Sequence, residues 1–146
     1  MKYRESTSLK SGRAGMLGLA VAAALAISVP TLAADAAKVE AGRQVWMKGG
    51  CAACHGTLGG GGANPDFPVG PSLRATELDR NALVEIISCG RPGKPMPAWL
   101  KGAYTETGCF GQDPGRAPAG TVVVGAFDAD QIEALVEYIM VEFNGK

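Results

Sequence analysis

The chain has a single histidine, His55, in 146 residues. Imidazole-based acid–base chemistry away from that position is therefore excluded. So is any metal site that needs a second histidine. Also missing is an apolar run long enough to cross a bilayer. The one markedly apolar stretch, Ala14 to Val29, has 16 residues, short of the roughly 20 that a hydrocarbon core requires. No basic stripe and no block of like charge occurs, which argues against nucleic acid as a partner. The glycine run Gly59–Gly62 has no Lys-Ser/Thr after it, so it is not a phosphate-binding loop but a flexible turn. No alternating apolar pattern supports a sheet, and no internal repeat is present.

Cysteines are few, at four, and unevenly spaced. No cysteine stands directly after the apolar stretch, where a lipoprotein would carry one. Ahead of that stretch Lys2, Arg4, Lys10 and Arg13 face one acid, Glu5. Pro30 and the small residues Ala33 and Ala34 follow it. A basic head, an apolar middle and a small-residue exit form the pattern of a secretory signal. Residues 1–34 are thus expected to be an export signal, the alternative being an uncleaved anchor. Residues 35–146 are expected to form one domain. That domain holds ten Lys/Arg against thirteen Asp/Glu, and its small core favours a covalent staple.

Three helices are expected. Ala36 to Lys48 is the first, stopped by Gly49-Gly50. A second runs from a cap at Thr76 or Asp79 to Cys89, with Gly90 as its stop. The third runs from Phe127 to Phe143 with Asp128 as N-cap, and Ile132, Leu135, Val136, Ile139 and Phe143 make its apolar stripe. Between them lie long segments rich in glycine and proline. Thr121–Val124 is at most a short extended piece. Connections of this length in a small domain need something else to organise them.

Cys51-Ala52-Ala53-Cys54-His55 is the strong chemical signal. Cysteines three apart on one helical turn point to the same side, where both sulfurs can form thioethers with the vinyl groups of one porphyrin. The adjacent imidazole then lies beneath the iron. C-x-x-C-H is the attachment motif of haem c. A thioredoxin-like dithiol would need a β-α unit that is not apparent. A zinc site would need Cys89 and Cys109 as further ligands, without a second close pair. One covalent haem c is the expected cofactor.

With no second histidine, the other axial ligand must come from elsewhere, or the position stays open. Met1 and Met16 fall in the export segment, Met47 is too near the motif, and Met140 is in the last helix. Met96 lies in a loop 41 residues beyond His55, with Pro95 and Pro97 stiffening it. Met96 is the expected ligand, with Lys94 as the alternative. Arg91 and Trp99 flank it and are candidates to meet a haem propionate.

The order Cys51–His55, Gly70-Pro71-Ser72-Leu73, Met96-Pro97 and then an amphipathic last helix resembles the small monohaem class I cytochromes c. The resemblance implies an all-α fold of three to four helices around one covalent haem. It implies crossing first and last helices, Gly42 lying against the face that carries Tyr138. It also implies that the Pro71 carbonyl accepts the second imidazole N–H of His55, which orients the ring. The chain differs from the shortest members by about thirty residues between Met96 and the last helix. That insertion carries Cys109. With Cys51 and Cys54 assigned to haem, Cys89 and Cys109 are left as a pair, and an oxidising compartment favours a disulfide. Closing a loop of about twenty residues contributes roughly 3 kcal/mol on a chain-entropy argument.

The resulting expectation is a non-enzymatic periplasmic electron carrier. Its partners would be redox proteins: a periplasmic dehydrogenase, a terminal oxidase or other cytochromes. It would touch the membrane only if the export segment is retained. Two alternatives remain: a haem-based sensor with a displaceable Met96, and a metal or dithiol protein without haem.

Overall fold

The computed structural model describes residues 30–146 except Ala63. The export-signal reading falls mainly on 1–29, outside the described residues. In chain order the elements are α1 (Pro30–Lys48), α2 (Ala52–His55), α3 (Arg80–Cys89), β1 (Ala98–Leu100), β2 (Val123–Phe127) and α4 (Ala129–Glu142). No helix among the described residues is long and apolar enough to cross a membrane.

α3 and α4 each begin where a side chain takes up an orphan N–H group. Asp79 accepts from Ala82 N–H at 2.9 Å and opens α3, whereas the Thr76 hydroxyl accepts from Leu78 N–H at 3.3 Å and caps nothing. Asp128 accepts from Gln131 N–H at 2.9 Å while the Gln131 side chain accepts from Asp128 N–H at 3.1 Å. That reciprocal pair fixes the start of α4. Phe127, expected inside this helix, instead ends β2. Among the described residues the first helix runs from Pro30 to Lys48 and so includes residues ahead of the expected Ala36.

α1 and α4 pack against one another through Gly42. A Cβ there would lie 1.9 Å from the Ala134 carbonyl oxygen and 2.7 Å from Tyr138 Cβ. Only a residue without a side chain permits this approach. The main core gathers Val45 and Trp46 of α1, Leu83 and Ile87 of α3, Phe127, and Ile132, Leu135, Val136 and Ile139 of α4. Arg80 pairs with Glu133 and Glu137, and Lys38 with Glu133, tying α3 and α1 to α4 at the surface. Exposed pairs of this kind add little stability.

The fold is not strictly all-α. β1 and β2 form a two-stranded parallel sheet, Ala98 opposite Val123 and Leu100 opposite Phe127, with an irregularity between. The expectation failed because it relied on alternation along one strand. β1 has three residues, and β2 runs from exposed to buried without alternating. Their pairing is long-range, made by the insertion between them, and leaves no local period to read.

Gly42→Ala is expected to destabilise the protein by about 3 kcal/mol, at the upper end for overpacking because a backbone carbonyl must move. Asp128→Ala should cost about 1 kcal/mol. Denaturant unfolding of both variants checks this, and a Gly42→Ala protein as stable as the parent would contradict the close crossing.

Candidate functional site

The five-residue motif follows directly on α1. The Cys51 N–H donates to the Trp46 carbonyl at 3.2 Å, and the His55 N–H to the Cys51 carbonyl at 3.0 Å. The motif therefore continues the helical path after the Gly49-Gly50 turn. α2 places Cys51, Cys54 and His55 on one short turn, all half-buried.

The chain then folds back over this turn. Gly61 N–H donates to the His55 carbonyl at 2.9 Å, and Gly70 N–H to the Cys54 carbonyl at 2.7 Å. Gly62 N–H donates to the Gly70 carbonyl at 3.2 Å, closing the excursion between them. A Cβ on Gly62 would sit 2.0 Å from the Cys54 carbonyl oxygen. On Gly70 it would sit 2.7 Å from that atom and 2.9 Å from His55 Nδ1. The glycine run is thus a cradle for the motif. Reading it as a flexible turn missed that the missing side chains are needed for backbone contact.

The His55 ring is oriented by this loop. Its Nδ1 lies 3.0 Å from the Pro71 carbonyl oxygen. A carbonyl can only accept, so Nδ1 carries the proton and Nε2 keeps its lone pair free. Trp46 backs the site, its ring centroid 6.4 Å from the imidazole, and packs on Phe143 at 5.0 Å and Tyr138 at 6.1 Å. Nothing in the sequence singles out Trp46 beyond its place in the first helix. Its proximity to His55 follows from the tight Gly49-Gly50 turn.

The four cysteines divide into two kinds. Cys89 and Cys109 form a disulfide, while Cys51 and Cys54 are free. Burial pushes the Cys51 thiol up to about 11, opposite to the lowered values of redox-active thiol pairs. The zinc reading loses its extra ligands to the disulfide, and no cluster of three or more metal-binding side chains occurs among the described residues.

The methionines are also distinguishable. The Met47 sulfur accepts from the Arg43 guanidinium within α1, and the Met140 sulfur from the Asn144 amide just past the end of α4, each at 3.4 Å. Met96 is half-buried and packs on the main core, as do Cys51, Ala52 and Trp99. The Trp99 ring stacks on Phe127 at 5.4 Å. Arg91 is exposed, with no ion pair among the described residues. Among the described residues its side chain makes no hydrogen bond or cation–π contact with Trp99 or His55.

The family model for cytochrome c oxidase, cbb3-type, subunit III matches residues 37–107. Cytochrome c55X of Stutzerimonas stutzeri is 35% identical over 86 residues, 57% of this chain and 71% of that protein. The chain belongs to the c-type cytochromes. No solved structure matches it. As a monohaem c-type cytochrome it carries covalently bound haem c. The donor set fits that group: two unpaired thiols and an imidazole with one nitrogen tied to backbone and the other free, on one turn. Haem-based electron transfer is accordingly the chemistry of this cytochrome.

In the cytochrome, Gly70→Ala is expected to destabilise the fold by about 2 kcal/mol, because the added methyl meets a carbonyl and an imidazole at once. The imidazole contact should also perturb the haem absorption spectrum. Denaturant unfolding and the visible spectrum check both, and a variant matching the parent in each would rule out the tight cradle.

Proposed function

We propose that this cytochrome is a periplasmic one-electron carrier whose haem is bonded through Cys51 and Cys54 and ligated by His55 and Met96. The observation that carries this reading is the His55 ring, fixed through Nδ1 on Pro71 with Nε2 unshared. That hydrogen bond sets the tautomer and raises the basicity of the free nitrogen. Haem supplies a reversible ferric–ferrous couple, and His/Met ligation favours a raised potential. Everything else falls to the polypeptide. Cys51 and Cys54 supply the sulfurs, and Ala52 and Ala53 leave room between them. Trp46, itself packed on Phe143, stands beside one side of the imidazole. Among the described residues, Met96 is the methionine whose sulfur takes no side-chain hydrogen bond.

Were His55 and Met96 both to hold the iron, they would leave no place for a substrate, and we therefore read the protein as a carrier rather than an enzyme. The Cys89–Cys109 disulfide supports an oxidising compartment. This agrees with residues 1–34 acting as an export signal and 35–146 as the working domain. The matching family takes its description from a cbb3-type oxidase subunit. We therefore read the partners as redox proteins, with a periplasmic dehydrogenase or another cytochrome as donor and a terminal oxidase as acceptor. A carrier binds such partners through small, transient interfaces.

The ferric protein is expected to show the weak near-infrared band of an iron–thioether bond. Met96→Ala should abolish that band, lower the reduction potential, and let carbon monoxide bind the ferrous form. An unchanged band in Met96→Ala would mean that another group is the ligand. Rapid carbon monoxide binding by the unaltered protein would favour a displaceable Met96 and hence a sensor.

A further inference from the structure

The segment from Gly90 to Pro97 leaves α3 at Cys89 and enters β1 at Ala98. Its own backbone closes it. Arg91 N–H donates to the Met96 carbonyl at 3.0 Å, and Lys94 N–H to the Arg91 carbonyl at 2.9 Å. Gly90 lies flat against the returning strand, where a Cβ would meet Ala98 N at 2.5 Å and the Met96 carbonyl oxygen at 2.9 Å. The backbone position of Met96 is therefore set by how Cys89 and Gly90 are held on one side and Ala98 on the other.

Both of those ends are buried in a second apolar cluster, separate from the main core. It comprises Cys89, Ala98, Ala103, Tyr104 and Cys109. Three of the five come from the segment between β1 and β2. The disulfide joins the insertion to the end of α3, and Ala98 N–H donates to the Val122 carbonyl at 2.8 Å. Tyr104 is the polar member. It is 5% exposed, and its hydroxyl donates to the Cys89 carbonyl at 2.9 Å. That carbonyl belongs to the last turn of α3, where helix geometry provides no N–H of its own. Tyr104 makes this bond from a backbone φ of 68°, a conformation that a bulky residue holds only when its surroundings enforce it. Burial raises the phenol above its ordinary pKa, so the hydroxyl remains a donor.

We propose that Tyr104 is a positioning residue for Met96, through which the disulfide-closed insertion braces the methionine loop against release of the thioether. The inference rests on Met96 being the axial ligand. A purely structural Tyr104 would support the fold as a whole. A positioning Tyr104 acts selectively on the loop.

Haem-loaded full-length protein is compared with Tyr104→Phe, Asp128→Ala and Met96→Ala by titrating the ferric form with imidazole. Amide exchange at Arg91 is followed in parallel. Tyr104→Phe keeps the ring and loses one buried hydrogen bond. It should retain the near-infrared band, bind imidazole about fivefold more tightly, and exchange the Arg91 amide about fivefold faster. Asp128→Ala, which removes the α4 cap and none of the hydrogen bonds that close the Gly90–Pro97 loop, should leave both readouts unchanged. The proposal is overturned if Met96→Ala strengthens imidazole binding while Tyr104→Phe does not, or if Asp128→Ala shifts binding as much as Tyr104→Phe. If Met96→Ala leaves imidazole binding unaltered, the ligand assignment itself fails and the brace falls with it. Should Tyr104→Phe not accumulate, Cys89→Ala/Cys109→Ala tests the same brace from its covalent side, with the same fivefold tightening expected and an unchanged affinity overturning it.

Discussion

The close crossing of α1 and α4 at Gly42 is the constraint from which the rest of the architecture follows. Because no side chain intervenes, the Ala134 carbonyl and Tyr138 reach the α1 backbone. This fixes the direction in which α1 ends. The Gly49-Gly50 turn then delivers Cys51, Cys54 and His55 against Trp46, whose ring is already held by Phe143 and Tyr138. Helix packing and site geometry are therefore one arrangement. A shift of α4 would be felt at the imidazole through the aromatic cluster behind it.

Around that frame the chain uses scarce residue types without overlap. One histidine is oriented by a backbone carbonyl. Two thiols are kept free on the same turn, and the other two are joined elsewhere. Among the described residues, the two helical methionines have their sulfurs hydrogen-bonded and the methionine in the proline-flanked loop does not. Each assignment leaves fewer alternative partners for the remaining groups. A bound haem adds order to a domain whose long connections are otherwise held mainly by backbone hydrogen bonds through glycine.

Much of this was legible in the sequence because it is local or rests on a short motif. Asp79 and Asp128 cap their helices, Gly49-Gly50 turns the chain, and the apolar stripe of α4 faces the core. Gly42 and the Pro71 carbonyl were implied by family resemblance, and the structure shows the contacts. What stayed hidden depends on residues far apart in the chain. The β1–β2 pairing joins Ala98 to Val123 across the insertion, with strands too short to show a period. The glycine cradle reads as flexibility in one dimension and as tight backbone packing in three. Tyr104 carries no motif at all, and its contact with the Cys89 carbonyl appears only once the insertion folds back. Arg91 and Trp99 look equivalent as flanking residues, yet one is exposed and the other stacked on Phe127.

The central claim is that Cys51 and Cys54 are consumed in thioether bonds to one porphyrin. Intact mass and peptide mapping of protein exported from a host with a working haem-attachment system test it most directly. The account predicts a chain heavier by one haem, with the added mass on the peptide containing Cys51 and Cys54 and surviving denaturation and reduction. A mass equal to the bare polypeptide, with both thiols open to alkylation, would contradict it.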